Sequence, residues 1–282
     1  MSEYYSWRKM KSRDVSAVES LLRAIEKSCV SACGRFLVRD ASRDCVWLLR
    51  GKKKEIDGLV INSKSTLIPV LCAGKEIPAP RFLLGLLRRE KIHSVQGLKD
   101  EVVVFEDALN KMGREADEII DYDLMNIDRQ PNAKGFLSGP ANLALRVPQM
   151  TDLDEVAVLQ AAYEKEEVLP KGSTFSPAAS RVNITNIISS GQILTAEICG
   201  RLIAKINTSA VSFTRYQVGG VYVHPDFRGQ GIARRMAAEF IASLIKQGRG
   251  VTLFVKKSNI AARRLYSGLG FSVTNDYRIS YY

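Results

Sequence analysis

The stretch V-Y-V-H-P-D-F-R-G-Q-G-I-A, residues 221–233, decides how the second half of this 282-residue chain folds. Val221 and Val223 lie on one face of a short β-branched and aromatic run, and Pro225 ends that run because proline cannot donate to a sheet. Two glycines then remove Cβ atoms from the next turn, so backbone N–H groups can converge there at the positive end of a following helix. The stretch predicts a strand, an anion-binding turn and a helix, with a phosphate as the anion.

Two familiar phosphate-binding loops do not match this turn. Its spacing is R-x-x-G-x-A, without the lysine and hydroxyl of a Walker A loop and without the third glycine and later carboxylate of a dinucleotide fingerprint. The turn does resemble the pyrophosphate loop of the GNAT N-acetyltransferase superfamily, Q/R-x-x-G-x-G/A, which is matched by Arg228, Gly231 and Ala233. The alternative is a strand-to-helix turn that holds no ligand.

A second segment, S-N-I-A-A-R-R-L-Y-S-G-L-G-F at residues 258–271, is similar to the next GNAT motif, N-x-x-A-x-x-L-Y-x-x-x-G-F. The matching letters are Asn259, Ala262, Leu265, Tyr266, Gly270 and Phe271. One helix and one strand separate the two motifs, as the GNAT fold requires. The resemblance covers residues 139–282 and implies an α/β fold with a mixed sheet, the GNAT acyl-CoA N-acyltransferase fold. A Rossmann-like domain with accidental matches is the alternative.

The resemblance implies that acetyl-CoA binds as a cosubstrate. In this fold the strand before the loop and the strand over 251–255 splay apart, and the pantetheine arm pairs with backbone in the gap as an added strand would. Asn259 would hydrogen-bond the arm. The residues implied to bind the coenzyme are Val221, Tyr222 and Val223 on the strand, Arg228, Gly229, Gln230, Gly231, Ile232 and Ala233 around the pyrophosphate, and Asn259, Ala262 and Tyr266 on the later helix.

The same resemblance implies a catalytic role for Tyr266. After an amine attacks the thioester, the departing thiolate needs a proton, and a phenol with a reference pKa of about 10 can supply it. Tyr266 is therefore the predicted general acid. A tyrosine that only fills the core under the sheet is the alternative.

The sequence leaves the general base open. Family members often place a glutamate in the middle of the strand before the loop, where this chain has Gln217 and Gly219. The alternatives are a water chain or another carboxylate, although each carboxylate could instead be a solvated surface charge. His224 is expected to be structural. The candidate carboxylates are Glu166, Glu167 and Glu197.

Length and local composition predict two domains. A chain of 282 residues is long for one core and sufficient for two domains of about 140 residues. The stretch Q-P-N-A-K-G-F-L-S-G-P, residues 130–140, is the expected linker because proline, glycine and small polar residues cluster there. We therefore predict an N-terminal α+β domain over 1–135 and the GNAT domain over 139–282.

A weak internal sequence repeat suggests that the first half is a degenerate GNAT-like copy of the second. Three positions recur at an offset of 140 residues: Met10, Asp14 and Val18 return as Met150, Asp154 and Val158. The expected order of helices and strands also repeats. Because the first half has no R-x-x-G-x-A segment after any strand, we expect no coenzyme site there.

Hydrophobic periodicity gives the expected elements. In the first half it predicts helices over 12–30, 81–90 and 100–111, and strands over 35–38, 45–49, 59–62, 66–72, 92–95 and 118–125. In the second half it predicts helices over 151–166, 232–247 and 259–267, and strands over 143–147, 193–198, 201–206, 216–223, 251–255, 271–273 and 277–282. Thr151 with Asp154 is the expected cap of the helix over 151–166.

Composition limits the class of protein. Hydrophobic residues make up 46% and charged residues 25%, as in a soluble globular protein, and no apolar run approaches the roughly 20 residues needed to cross a bilayer. The N-terminal segment has no apolar stretch behind its charges, so we expect no secretory signal and a cytoplasmic protein. Five scattered cysteines favour free thiols, and with two histidines far apart no metal site is expected.

The net charge of +11 is spread along the chain, which favours a polyanionic small ligand over nucleic acid. The sequence thus predicts an N-acetyltransferase that moves an acetyl group from acetyl-CoA to a primary amine by direct attack in a ternary complex. A coenzyme-binding regulatory protein without catalysis and an aminoacyl-tRNA-dependent transferase stay open as alternatives. The acceptor is expected between residues 163–176, residues 207–215 and the final strands, and a homodimer is left open.

Overall fold

The computed structural model describes residues 6–40, 44–51, 55–72, 81–132, 134 and 136–282. The chain divides into two compact units. The first consists of Met1–Leu124 and Thr274–Tyr282, and the second of Met125–Val273. The domain boundary predicted at 135–139 stays a prediction. Within the part of the chain that the structure describes, no helix has both the length and the apolar character needed to cross a membrane.

The first unit contains a mixed sheet with helices packed against it. Its strands β1 to β4 pair in an antiparallel order, β4 then runs parallel to β5, and β5 pairs antiparallel with the final strand, β12. Strand β6 passes into the second unit at Met125, and β12 belongs to the first unit from Thr274 onward. The elements are β1 (Ser6–Lys9), α1 (Val15–Ala24), α2 (Val30–Leu37), β2 (Asp44–Arg50), β3 (Ile56–Ser63), β4 (Thr66–Leu71), α3 (Arg81–Leu87), β5 (Ser94–Leu98), α4 (Lys99–Asn110), β6 (Glu118–Ile127) and β12 (Ser272–Tyr281).

The core of the first unit forms where α3 and α4 cover the sheet. Helix α4 places apolar side chains at spacings of three and four residues, which is the pattern of a helix with one buried face. The buried residues of this cluster are Trp47, Val60, Leu67 and Val95 from the strands, Leu83, Leu86 and Leu87 from α3, and Val102, Phe105, Ala108 and Leu109 from α4.

The second unit is built on a five-stranded run in the order β7-β8-β9-β10-β11. Strands β7 to β10 are antiparallel to their neighbours, and β10 is parallel to β11 because α7 connects them. The elements are β7 (Ala144–Arg146), α5 (Leu153–Tyr163), α6 (Pro177–Ser189), β8 (Ile193–Ile198), β9 (Arg201–Val211), β10 (Arg215–Val223), α7 (Ile232–Lys246), β11 (Gly250–Lys256) and α8 (Ile260–Leu269).

Two buried clusters hold the second unit together. Helix α7 packs through the row that the sequence predicted, and Ile232, Met236, Phe240 and Leu244 are all buried. The cluster of α5 and α6 is separate and includes Val156, Leu159, Ile184, Ile193, Leu202 and Tyr222. Strand β10 therefore lies between apolar contacts from both clusters.

Several predicted elements are wrong in type or extent. Residues 35–38 were expected as a strand, but residues 35–37 belong to α2 and Val38 directly follows it, because Ala32, Cys33 and Phe36 are buried as parts of a helix. The two strands expected over 271–273 and 277–282 form the single strand β12. Strand β9 runs on to Val211, beyond its predicted end. Pro78 and Pro80, which the sequence predicts to introduce the helix over 81–90, lie outside the described residues.

The region from 149 to 190 differs most from the prediction. The predicted cap of Thr151 with Asp154 is wrong: the N-cap residue of α5 is Asp152, whose side chain makes no cap hydrogen bond to that helix. Its Oδ2 instead accepts the Gln149 N–H at 2.7 Å, at the start of a preceding 3-10 turn over Met150–Asp152. Helix α5 ends at Tyr163 and continues as a π-helical turn over Glu164–Val168. Helix α6 was missed altogether, since its polar face hides the periodicity. It begins at Pro177, and Ser176 Oγ accepts the Ala179 N–H at 3.3 Å.

Candidate active site

Strands β10 and β11 stay together for only a short distance. Their parallel register joins Arg215 to Gly250, Tyr216 to Val251 and Gln217 to Thr252. Both strands continue beyond that register, β10 to Val223 and β11 to Lys256, and both are described over their full length. We call the space between residues 218–223 and residues 253–256 the strand gap. Backbone groups that face it have no strand partner on the other side.

A buried arginine fixes the closed end of the strand gap. The side chain of Arg215 is 4% exposed, its Nε donates to Thr252 Oγ1 at 2.9 Å, and one terminal nitrogen donates to Asn126 Oδ1 at 2.9 Å. The other terminal nitrogen is paired with Asp128. A buried guanidinium with this many acceptors is expensive to displace, so the point where the strands separate is well defined.

A β-bulge bends β10 where it borders the strand gap. The register with β9 passes from Gly219 opposite Asn207 to Tyr222 opposite Lys205, so β10 holds one residue more than β9. Gly220 has a φ of +60°, and a Cβ added there would collide with Asn207 Oδ1. Only glycine fits at this position.

Lys205 fills the inside of the bulge. The residue is 0% exposed, and its Nζ donates to Gly220 O at 2.8 Å and to Asn207 Oδ1 at 2.9 Å. The same Nζ lies 4.7 Å from the centre of the Tyr163 ring, within the range of a cation–π contact. Burial lowers the pKa of Lys205 to about 7, while the charge of Glu164 opposes that shift. Sequence reasoning missed this residue, although a lysine inside an apolar strand was a visible signal.

The backbone beyond the bulge faces the strand gap. The His224 N–H donates to Ile203 O on β9 at 2.8 Å. Because backbone groups alternate sides along a strand, those of Val223 and Val221 turn away from β9. The Val223 carbonyl accepts Arg228 Nε at 3.0 Å, which agrees with this orientation. These are the valines that the sequence implied for contact with a ligand.

The glycine turn after β10 offers unused N–H groups. Gly229 and Gly231 have φ values of +78° and +80°. In the described part of the chain, the N–H groups of Gly229, Gln230 and Gly231 donate to no protein acceptor. The first N–H groups of α7, at Ile232 and Ala233, also have no intrahelical acceptor. The turn therefore has the donors that an anion needs.

Gly231 is required by its surroundings as well as by its φ. A Cβ at this position would lie 2.9 Å from Gly139 N and 3.2 Å from Ser138 Cβ, closer than real Cβ contacts. A Cβ at Gly229 would meet nothing within 4 Å. The two glycines thus differ: position 229 needs only the positive φ, whereas position 231 also lacks the space for a side chain.

Arg228 is held by protein groups rather than projecting freely. One terminal nitrogen donates to Glu166 Oε2 at 2.8 Å, and the guanidinium carbon lies 5.4 Å from the centre of the Tyr222 ring. The hydrogen bond to Glu166 raises the pKa of Arg228. The positive charge therefore stays beside the turn at any ordinary pH.

Helix α8 places the second motif at the strand gap. Asn259 caps the helix, with Oδ1 accepting the Ala262 N–H at 3.0 Å, so its side-chain N–H groups are left for another acceptor. Tyr266 is 7% exposed and packs edge to face on Phe271, with ring centroids 5.7 Å apart. Burial raises the pKa of Tyr266, and the nearby Tyr163 and Glu167 add to the rise. The phenol is neutral at pH 7 and holds its proton.

The carboxylates predicted as alternative bases are all paired with cations. Glu166 bonds Arg228 at 2.8 Å, Glu167 bonds Lys256 Nζ at 3.1 Å, and Glu197 bonds Arg146 Nε at 2.8 Å. Each of the three carboxylates is thus already engaged with a cation in the folded chain.

Neither strand position supplies a base in place of the family glutamate. The Gln217 amide donates to Ser209 Oγ at 3.0 Å, and a Cβ at Gly219 would lie 3.2 Å from Ser209 Cβ, so a longer side chain is crowded there. His224 accepts the Asp226 N–H through Nδ1 at 3.4 Å and caps the short turn after β10.

Tyr163 joins the region expected for the acceptor to the bulge. It lies at the end of α5, directly before the π-helical turn, and its hydroxyl accepts the Gly220 N–H at 3.3 Å. The sequence placed residue 163 at the start of the acceptor region but gave no reason for this contact. Within the described residues, no group of three His, Cys, Asp or Glu side chains could hold a metal ion.

Comparison with known proteins agrees with this geometry. A family model described as Acetyltransferase (GNAT) family matches residues 160–271, which include the strand gap, the glycine turn and both motifs. A search of curated protein sequences gives no significant match.

Solved structures resemble nearly the whole chain. An acetyltransferase of the GNAT family from Colwellia psychrerythraea has a TM-score of 0.60 at 14% identity, covering 98% of this chain and 100% of its own. A GCN5-related N-acetyltransferase from Sphaerobacter thermophilus has a TM-score of 0.66 at 18% identity, covering 98% of this chain and 94% of its own. A tandem GNAT protein from the clavulanic acid biosynthesis pathway has a TM-score of 0.65 at 12% identity, covering 98% of each chain.

At these identities the structural likeness concerns the fold, and it confirms the predicted α/β fold with a mixed sheet. The likeness to a tandem GNAT protein extends over both halves of the chain. The match to the family model adds the sequence motifs to the fold in the second half. Residues 160–271 therefore form a domain of the acetyltransferase (GNAT) family.

Proposed function

We propose that the C-terminal half is an acyl-CoA-dependent N-acyltransferase that moves an acetyl group from acetyl-CoA to a primary amine. The observation that carries the proposal is the strand gap beside a turn of unpartnered N–H groups. An extended thioester with a diphosphate at one end needs both features. The strand gap would take the extended arm, and the adjoining turn would take the diphosphate.

The residues of the site fit acetyl-CoA. The N–H groups of Gly229 to Ala233, at the positive end of α7, suit the pyrophosphate. The backbone of Val221 and Val223 suits the amides of the pantetheine arm, and the free side-chain N–H groups of Asn259 suit one of its carbonyls. Arg228, which bonds Val223 O here, lies where an arriving phosphate would meet a positive charge.

The proposed reaction needs no protein nucleophile. The acceptor nitrogen attacks the thioester carbon, a C–N bond forms, and the C–S electron pair leaves on sulfur. Tyr266 gives its proton to the departing thiolate and regains one from the acceptor nitrogen, which must lose a proton to become an amide. The products are the N-acetyl amine and free coenzyme A thiol, and the proton count balances.

Of the routes left open for the acceptor proton, a water chain is favoured. Glu166, Glu167 and Glu197 are each paired with an arginine or lysine. Using one of them as a base would break an ion pair in each turnover. Water at the mouth of the strand gap carries no such penalty.

The same ion pairs keep a second candidate in view, a regulatory protein that binds acetyl-CoA without turning it over. It is favoured by Gln217, whose amide cannot accept a proton at the position where the family often has a glutamate. Saturable acetyl-CoA binding with no release of coenzyme A thiol across a broad panel of amines would support this second candidate over the transferase.

Titration calorimetry with acetyl-CoA tests the proposed site. We expect saturable binding to the wild-type chain and a loss of about 100-fold in affinity for Gly231→Ala, because the new Cβ lies 2.9 Å from Gly139 N. Gly248→Ala is the matched control. Its φ of +77° gives the same backbone strain, but its Cβ meets nothing within 4 Å and it lies at the far end of α7.

Two results would contradict the proposal. The first is absence of binding to the wild-type chain at millimolar acetyl-CoA. The second is equal affinity in the two glycine variants, since it would separate the turn from the coenzyme. A screen of amine acceptors, read by release of coenzyme A thiol, would then identify the second substrate.

A further inference from the structure

The fully buried Lys205 is not explained by packing alone. Its two adjacent residues on β9, Ala204 and Ile206, are apolar, and among the described residues no carboxylate forms an ion pair with it. A buried ammonium without a carboxylate partner is unfavourable unless hydrogen bonds compensate. Here the compensation comes from Asn207 Oδ1, Gly220 O and the Tyr163 ring. Such a group is kept at a stability cost, which points to a use.

We propose that Lys205 is a positioning residue of the transfer reaction: its ammonium holds and polarises the Gly220–Val221 peptide, so that the Val221 N–H becomes a better donor to the thioester oxygen. The inference rests on the proposed function, because it needs a thioester in the strand gap. It assigns a role in catalysis to a side chain that does not touch the substrate.

The direction of the Val221 N–H follows from the bond at the other end of the same peptide. Gly220 O accepts at 2.8 Å from the Nζ of Lys205, a residue of β9. The described chain has no cis peptide bond, so the Val221 N–H points opposite to Gly220 O. That direction leads away from β9 and into the strand gap, in agreement with the orientation derived from His224 and Ile203.

A hydrogen bond at a peptide oxygen strengthens the N–H of the same peptide. The two groups share one delocalised electron system, and a charged donor at the oxygen draws electron density away from the nitrogen. In the transition state the thioester oxygen gains negative charge, and a fixed donor in a water-excluded site stabilises it most strongly. Lys205 would therefore act through one peptide unit on the reacting carbonyl.

The bulge makes this arrangement specific. At position 220, glycine is the only residue type that leaves room for the side chains of Asn207 and Lys205. Tyr163 accepts the Gly220 N–H at 3.3 Å, so both ends of Gly220 are held. Turning the Val221 N–H out of the strand gap would require rotating the Gly220–Val221 peptide, which would break the hydrogen bond from Lys205.

Few charged groups face Lys205. From the end of α5 come the Tyr163 ring and the Glu164 carboxylate, and Glu164 in turn accepts from Gln160 at 2.6 Å and from Asn183 of α6 at 3.3 Å. From β10 comes the Gly220 carbonyl, and the register partner on β8 is the uncharged Thr195. Burial lowers the pKa of Lys205 to about 7, so its charge changes in the physiological range.

The sign of the pH effect separates two roles. As a positioning group Lys205 acts in its charged form, so its contribution to kcat is full below pH 7 and is lost as the pH rises through about 7. As a neutral general base it would contribute above pH 7 and lose that contribution below it. The two roles predict opposite slopes.

Proton–nitrogen NMR on valine-labelled wild-type protein tests the first link without turnover. We expect the Val221 amide proton to move downfield as the pH falls through the Lys205 titration, and the Val223 amide to move far less. In Lys205→Met the Val221 movement should be lost. The titration of Lys205 can be followed independently on the NMR signals of its own side chain. If the Val221 amide shift does not change over that titration in the wild-type protein, the proposal is overturned, even if the methionine variant fails to fold.

Steady-state kinetics test the second link. We expect Lys205→Met to lower kcat about tenfold with the Kd for acetyl-CoA within about threefold of wild type, since an indirect donor contributes less than a direct one. Lys205→Arg, which keeps its charge, should retain kcat and lose the fall above pH 7. The exposed Lys246→Met is the control for loss of a lysine. An inactive Lys205→Arg with a wild-type kcat that rises through pH 7 would overturn the proposal in favour of a base.

Failure of the proposed function would look different. It would appear as no acetyl-CoA binding by the wild-type chain, whereas failure of this inference leaves binding intact and changes only the Lys205 variants or the Val221 signal.

Discussion

Each half of the chain contains a pair of parallel strands that stay in register briefly and then lead into a helix. In the second unit the pair is β10 and β11, followed by α8. In the first unit it is β4 and β5, followed by α4, with a register that joins Thr66 to Ser94 and Leu67 to Val95. The two pairs differ in the residues that the following helix presents to them.

The helices differ at three positions counted from their first residue. Helix α8 begins at Ile260 and α4 at Lys99. The residue directly before α8 is Asn259, and the residue directly before α4 is Leu98. At the third residue Ala262 corresponds to Glu101, and at the seventh Tyr266 corresponds to Phe105. The first unit therefore lacks the capping amide and the phenol, and it has a long acidic side chain where the second unit has a small one.

Glu101 occupies the place between β4 and β5. Its Oε1 accepts the Leu71 N–H at 2.8 Å, and a Cβ on Gly97 would lie 3.6 Å from its Oε2. Pro69, also on β4, has no N–H to offer. A helix side chain of the same unit thus takes the backbone donor that a ligand would use in the strand gap. At the corresponding position of α8 the second unit has the small Ala262, which leaves the strand gap open under the proposed function.

Making the second unit resemble the first at Tyr266 should have the largest effect. Tyr266→Phe reproduces the residue at the corresponding position of α4, and we expect kcat to fall by about 10³ because the thiolate would lose its proton donor. Acetyl-CoA affinity should stay within about twofold. Rapid-quench assays and calorimetry measure the two quantities.

Tyr277→Phe is the control, since Tyr277 is also a buried tyrosine but belongs to the first unit. It should leave kcat unchanged. A Tyr266→Phe enzyme that turns over at the wild-type rate would leave Tyr266 as a core residue and remove it from the mechanism.

The next largest effect concerns the free energy of unfolding and the side chain of Glu101, which lies between β4 and β5. Burial raises the pKa of Glu101 to about 8, so the folded chain holds this proton where the unfolded chain has lost it. The contribution of Glu101 to the free energy of unfolding is full below about pH 4.5 and is lost as the pH rises through about 8.

Glu101→Gln removes that titration and should make the chain more stable than wild type at pH 8.5, by on the order of 2 kcal/mol. Below about pH 4.5 the two should agree, apart from a constant offset. Urea unfolding at both values measures the difference. Asp107→Asn, an exposed carboxylate on the same helix, should show no such dependence. Parallel curves for Glu101→Gln and wild type would mean that Glu101 is ionised in the folded chain.

The smallest expected effect comes from transferring the acidic side chain to the second unit. Ala262→Glu places a glutamate at the third position of α8, and we expect acetyl-CoA affinity to fall about tenfold because its carboxylate competes for backbone N–H groups and repels the phosphates. The loss stays modest because position 262 is partly exposed and the side chain can turn to solvent.

Ala261→Glu adds the same charge one residue earlier, at an exposed position, and is the matched control in the calorimetry. Equal affinities for the two variants would show that charge alone matters. The position of the Glu101 side chain between β4 and β5 would then not explain the difference between the two halves of the chain.

The features of the site that are local in sequence could be predicted from it. The glycine turn and the helices predicted over 232–247 and 259–267 depend on φ preference, helical spacing and capping, all of which act within about four residues. The errors lie where local signals conflict or are weak. Helix α6 has little hydrophobic periodicity, and the four residues expected as a strand at 35–38 are too few to show a helical period.

The sequence by itself determined the family, the order of the two motifs and the turn that suits a diphosphate, because each is written in neighbouring residues. Only the tertiary structure decided that Lys205 donates to Gly220 O, that Tyr163 accepts the N–H of the same glycine, and that the candidate carboxylates are paired. These contacts join residues 15 to 89 positions apart. They depend on the register of β9 with β10 and on one bulge, and a register is set by the whole sheet rather than by any segment of it.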